Sequence, residues 1–128
     1  MKIAISSDEG TKEGRVDSRF GRCSYFIIYD TESQEYDSIA NDYKDSRGGA
    51  GIQVGQMLSN IGVDVVITGN VGPNAYRTLD SAGIEIYNGS GSISEVIDKL
   101  EEGELNKVES STVRGHYGQK GKSRGGRR

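Results

Sequence analysis

The sequence predicts an α/β fold, a mixed sheet with helices on its faces, and three observations predict it. Apolar periodicity along the chain runs β-β-β-α-β-α-β-α, an opening meander followed by two βα units. The run from Val63 to Thr68 is apolar apart from Asp64, the pattern of a parallel strand covered on both sides. Glycine-rich turns, at Phe20-Gly21-Arg22, Gly48 to Gly51 and Gly69 to Gly72, stand at the ends of apolar segments. With 128 residues, 33% of them hydrophobic and 27% charged, the chain suits one domain with a modest core.

Each element has a local reason. Lys2 to Ser6 reads as a short buried strand with Ile3 and Ile5 on one face, and Ser7 to Arg19 as a polar loop. Tyr25 to Tyr29 is rich in β-branched and aromatic residues and reads as a strand. Asp30 to Gln34 turns the chain, and the weaker strand Tyr36 to Asn41 pairs back as a hairpin. Ala50 to Asn60 fits a helix with Ala50, Val54, Met57, Leu58 and Ile61 on one face, stopped by Gly62. Pro73 suits the first turn of a helix running to Ala82, which Gly83 ends. Ile84 to Tyr87 is a short strand, and Ser92 caps a helix through Leu100, with Glu95 completing a capping box. Residues 1–109 are therefore expected to form one α/β domain, and 110–128 a basic, glycine-rich tail without a fixed fold.

Strand directions follow from the connections. Strand one runs up, two down and three up, and right-handed crossovers make four and five run up as well. The glycine-rich loops then meet at the carboxyl edge of the parallel strands, where open α/β sheets bind ligands. Three helices are expected to begin there, near Gly49, Pro73 and Ser92, each with unsatisfied N–H groups and a partial positive charge. Arg19, Arg22 and Arg47 add full charges, so the edge should prefer an anion. The plainer alternative is that the glycines only make tight turns. There is no Walker motif, and Gly89-Ser90-Gly91 is not a dinucleotide fingerprint.

Arg19-Phe20-Gly21-Arg22 before Tyr25-Phe26, then Gly48-Gly49-Ala50-Gly51, Gly72-Pro73-Asn74-Ala75 and Ala82-Gly83-Ile84, occur in order and with natural spacing. Over about Met1 to Leu105 the chain resembles the dinitrogenase iron–molybdenum cofactor biosynthesis family, the group of NifX, NafY and the C-terminal domain of NifB. The resemblance implies a three-layer α/β/α fold with a ribonuclease H-like motif. It also implies a five-stranded sheet of order 3-2-1-4-5 with strand two antiparallel. It further implies a carrier of iron–molybdenum cofactor or of an iron–sulfur precursor, with a nitrogenase-type or other metalloprotein as recipient.

The cofactor-binding residues expected at this edge are Arg19, Phe20, Gly21, Arg22, Gly48, Gly49, Gly51, Gly69, Asn70, Gly72 and Asn74. Cys23 is the candidate metal ligand; its alternative is a small residue packed in the core. Arg19 and Arg22 either clamp an anion or pair with Asp17 and Asp8, which are themselves weak candidates for a divalent cation. Asn70 and Asn74 either touch ligand or cap the Pro73 helix. Iron–sulfur clusters take thiolate ligands, and Cys23 is the one cysteine, while the one histidine, His116, lies in the tail. Within one subunit this leaves capture by backbone N–H groups, Arg22 and a single sulfur; a dimer would supply a second Cys23.

Ribonuclease H-type catalysis needs several carboxylates around two metals, yet Ile3-Ala4-Ile5-Ser6 carries none. The expectation is a non-enzyme. No apolar run is long enough to span a bilayer, and one cysteine rules out an intramolecular disulfide framework, so cytoplasm is the expected setting. The formal charge of −3 is divided. Arg114, Lys120, Lys122, Arg124, Arg127 and Arg128 make the tail basic, leaving ten basic residues against nineteen acidic in the rest of the chain. Such a tail resembles RGG-type segments, and nucleic-acid binding through it is the alternative function.

Overall fold

A computed structural model describes residues 1–112, and the strand at its centre is β1 (Lys2–Ser7), buried from Ile3 onward. It pairs antiparallel with β2 (Tyr25–Asp30) on one side and parallel with a strand from Val65 to Thr68 on the other. Next to β2 lies β3 (Tyr36–Ala40), antiparallel and paired along its full length from Tyr36 to Ala40. The Val65–Thr68 strand is β4, and beyond it β5 (Glu85–Asn88) is parallel. The expected order 3-2-1-4-5, with strand two antiparallel, is present.

A sixth strand, β6 (Asn106–Lys107), extends the sheet antiparallel to β5. No strand is predicted there from the sequence. Only Tyr87–Lys107 and Asn88–Asn106 pair, which is too short to register as a period of two.

The alternation along the strands sorts the core into two layers. Ala4, Phe26, Ile28, Val66 and Ile86 face α1 (Ala50–Asn60) and α2 (Pro73–Ser81), whose Val54, Leu58 and Leu79 are fully buried against them. Ile3, Ile5, Ile27, Tyr29, Val65 and Ile67 face α3 (Ile93–Glu101) through Ile93, Val96 and Ile97. That is the three-layer α/β/α arrangement.

Two strands start later than their apolar runs suggest. The N–H of Val63 donates to Leu58 O, and that of Ile84 to Leu79 O, each closing the end of a helix. Gly62 (φ 85°) and Gly83 (φ 76°) supply the left-handed residue these closures need. Strand pairing begins only once the turn is complete.

α1 and α2 pack so tightly at their starts that a Cβ on Gly51 would lie 2.7 Å from Ala75 Cβ. On an exposed helix, Gly→Ala stabilises by up to about 1 kcal/mol. Here we expect Gly51→Ala to destabilise by about 1–3 kcal/mol, because Ala75 sits on backbone that must move. Urea denaturation of the two proteins measures it; a stabilised variant would mean that the helices are not in close contact.

Candidate functional site

The carboxyl ends of β1, β4 and β5 and the start of β2 share one edge of the sheet, covered by the loop from Asp8 to Ser24. Two buried hydroxyls staple that loop down. Ser6 Oγ donates to Asp17 O (2.6 Å) and accepts from Thr68 Oγ1 (2.7 Å). Further along, Asn70 N donates to Ser18 O (2.7 Å) and Phe20 N to Asn70 O (3.3 Å). Phe20 is buried edge-on to Phe26, ring centroids 5.5 Å apart, so it anchors the loop from beneath.

The sequence leads one to expect three helix N-termini at this edge; the structure leaves two of them open. α3 is closed by its own residues. Ser92 Oγ accepts from Glu95 N (3.2 Å) and donates to the Glu95 carboxylate (2.9 Å), while Ile93 N donates to Gly14 O (3.1 Å). The hydrogen bonds from Ser92 hold the Glu95 carboxyl below the ordinary glutamate value, so an anion already occupies that terminus. The N-caps of α1 and α2 are Gly49 and Gly72, neither helix has a side-chain cap, and neither has an acid in its first turn. Contact between Gly51 and Ala75 brings these two uncapped starts together, and a Cβ on Gly21 would lie 2.9 Å from Gly51 N.

The predicted glycines divide by what surrounds them. At Gly21, Gly51 and Gly69 an added Cβ would meet neighbouring atoms at 2.9 Å or less, so close packing already explains them. Gly48 and Gly72 have no atom within 4 Å of such a Cβ and no positive φ. Gly49 also faces open space, in a left-handed conformation (φ 73°). The open glycines are therefore the ones at the starts of α1 and α2.

Most of the predicted polar side chains hold the loops. Arg19 forms a two-pronged pair with Asp17, Nε to Oδ1 at 3.1 Å and Nη2 to Oδ2 at 3.0 Å. Partial burial pushes the Asp17 carboxyl up, but the hydrogen bonds and charge of Arg19 outweigh it and leave it below the ordinary aspartate value. Arg22 donates to Lys44 O (2.8 Å) and Ser46 O, bracing the loop that leads to Gly48. Asp8 accepts from Arg15 N (2.9 Å) rather than pairing with Arg22. Asn74 Oδ1 accepts from Arg77, and Asn70 Oδ1 lies 3.4 Å from Thr112 Oγ1. Arg47 is exposed beside Gly48.

Sequence reasoning passed over Asn41. It is 4% exposed and donates Nδ2 to Gly21 O (3.1 Å) and Cys23 O (2.9 Å), while accepting from Tyr43 N (2.9 Å). Its one local signal is an amide residue closing a weak strand ahead of a polar loop.

Cys23 is 0% exposed, with Sγ 3.4 Å from Phe20 O, and burial pushes its thiol from 9.0 up to about 12. In this conformation the sulfur is a packed, protonated thiol. Among the described residues no three His, Cys, Asp or Glu side chains gather as a metal ion would need. His116 and the basic tail lie outside the described residues, as does any nucleic-acid contact through them. Among the described residues no helix is long and apolar enough to cross a membrane.

Comparison with known proteins agrees with this architecture. The dinitrogenase iron-molybdenum cofactor family model matches residues 1–103. An uncharacterised protein of Methanocaldococcus jannaschii is 34% identical over 113 residues, covering 85% of this chain and 92% of its own. Among solved structures, the apo form of the orange protein from Desulfovibrio gigas superimposes with a TM-score of 0.84 at 27% identity, over 88% of this chain and 96% of that one. The NMR structure of a candidate NifB protein from Thermotoga gives 0.79 at 39% identity, over 89% and 98%.

Burial of Cys23 has a pH consequence. The folded protein holds the thiol proton more tightly than the unfolded chain, so this stabilisation is complete below pH 9 and is lost as pH rises toward about 12. Tyr36 and Tyr76, also raised by burial, add to the same alkaline loss. Urea midpoints between pH 8 and 11 should fall more steeply for the natural chain than for Cys23→Ala; parallel curves would show the sulfur to be solvated.

Proposed function

The chain belongs to the dinitrogenase iron-molybdenum cofactor family, and from that premise we propose a non-catalytic carrier of an anionic metallocluster. The cargo is iron–molybdenum cofactor or an iron–sulfur precursor, held at the joined N-termini of α1 and α2. The recipient is a nitrogenase-type or other metalloprotein, met in the cytoplasm.

One observation carries this reading. Of the three helix starts at the edge, only α1 and α2 lack both a side-chain cap and an acidic residue, and they touch at Gly51 and Ala75. Each helix end presents about half a positive charge, so two together favour an anion more than either alone. Gly48, Gly49 and Gly72 leave open space there, which lets a bulky anion approach the backbone N–H groups.

The donor set supports outer contact rather than ligation. The described residues do not assemble a thiolate or mixed ligand set, and the one thiol, Cys23, is packed in the core. Hydrogen bonds from N–H groups, with the exposed Arg47 alongside, hold a charged cluster without replacing any of its own ligands. Cargo held this way leaves without breaking a metal–ligand bond, which suits delivery.

A carboxylate placed at the start of α2 tests the reading with two readouts of opposite sign. Gly72 sits at an N-cap in extended backbone (φ −75°, ψ 170°) with room for a side chain. Gly72→Asp should therefore stabilise the fold by a few tenths to about 1 kcal/mol. It should also weaken retention of isolated iron–molybdenum cofactor at least tenfold, followed anaerobically by co-elution and metal analysis. Undiminished retention in the variant would place the cargo elsewhere, and no retention by the natural chain would reject the cargo.

A further inference from the structure

We propose that Asn41 is a positioning residue for the cargo edge: its buried carboxamide ties the lead-in of α1 to the segment around Gly21, and so sets where the open start of α1 stands beside that of α2. The inference rests on the carrier reading above and assigns part of that site's geometry to a buried side chain outside the two helix starts.

α1 has no cap of its own to fix its start. It follows an irregular loop, residues 42–49, and its N-cap, Gly49, is left-handed and has no side chain to offer. Two neighbouring segments define the start instead. One is Gly21, where an added Cβ would lie 2.9 Å from Gly51 N and 3.4 Å from Ala50 C. The other is the loop itself, which leaves the end of β3 at Asn41.

Asn41 joins the two. Its backbone continues the β2–β3 ladder, N donating to Ser24 O (2.9 Å), so the side chain starts from a fixed point. Nδ2 donates to both Gly21 O (3.1 Å) and Cys23 O (2.9 Å), while Oδ1 accepts from Tyr43 N (2.9 Å). A carboxamide supplies two donors and an acceptor in one plane; a carboxylate has no donor and a hydroxyl has one. Arg22 repeats the link from an exposed position, donating Nη1 to Lys44 O (2.8 Å) and to Ser46 O. Ser46 Oγ in turn lies 3.1 Å from Gln53 Oε1, and Gln53 N donates to Gly49 O (2.9 Å) in the first turn of α1.

The consequence is directional. Hydrogen bonds weaken steeply off their axes, so N–H groups hold an anion only when they are correctly aimed. With Asn41 truncated, the carbonyls of Gly21 and Cys23 lose this donor and must turn toward another. Gly21 then shifts against Gly51, and the start of α1 shifts with it. The lead-in of α2 is held separately, by Asn70 N donating to Ser18 O (2.7 Å), and keeps its place.

The test compares the full natural chain with Asn41→Ala and with Ile97→Ala, a cavity variant in the opposite core layer. In the ¹⁵N-labelled proteins without cargo, Asn41→Ala should displace the amides of Gly49, Ala50 and Gly51 and speed their hydrogen exchange, leaving Ile93 and Glu95 in place. Its retention of isolated iron–molybdenum cofactor, followed anaerobically, should fall about tenfold, because the N–H groups are no longer aimed together. Ile97→Ala should lower the urea midpoint and keep the natural retention. Should Asn41→Ala fail to fold, Arg22→Ala cuts the parallel link at an exposed position and should displace the same amides. Natural retention or unmoved α1 amides in the folded variant overturns the proposal. An equal loss of retention in Ile97→Ala also overturns it, since the effect would then be one of stability alone. If the natural chain retains no cofactor the carrier reading fails, and the amides by themselves decide whether Asn41 sets the start of α1.

Discussion

The close approach of α1 and α2 at Gly51 and Ala75 is the contact on which the rest of the edge depends. Without a side chain at Gly51 the two helices start side by side on one face of the sheet, and their dipoles point at the same patch of solvent. Gly21 then fits against the first turn of α1 because it too lacks a Cβ. Packing and electrostatics are therefore one constraint: what lets the helices touch also leaves two positive ends adjacent and unfilled.

The loops around that patch are held by groups that leave it open. Arg19 is engaged by Asp17, Arg22 by the carbonyls of Lys44 and Ser46, and Asn41 by those of Gly21 and Cys23. Phe20 and Cys23 belong to the core beneath. The third helix start is filled by Ser92, Glu95 and the Gly14 carbonyl. An acceptor is supplied where the fold closes α3, and among the described residues no side chain caps the remaining two. Pre-formed loops lower the ordering cost of binding, in keeping with the proposed carrier role.

Much of the fold was legible because it is local. The apolar run ending at Thr68 marked a strand with two covered faces, the capping box marked α3, and Gly62 and Gly83 marked helix ends. The site was legible only in outline. The glycine turns did converge, but sorting packing glycines from open ones required knowing what lies across from each. Arg22 reads as a ligand clamp until the carbonyls of residues 44 and 46 are seen within its reach. The closing of α3 by Gly14, the pairing of β6 and the return of Thr112 to Val71 are contacts between distant segments, and no periodicity encodes them.

Backbone amides at the joined helix starts are the most direct witnesses of the central claim. In the ¹⁵N-labelled protein, anaerobic addition of isolated iron–molybdenum cofactor should shift or broaden the amides of Ala50, Gly51, Ile52, Asn74 and Ala75 first, leaving Ile93 and Glu95 at the start of α3 unchanged. Perturbation centred on α3, or on Cys23 and the core around it with α1 and α2 untouched, would contradict the account.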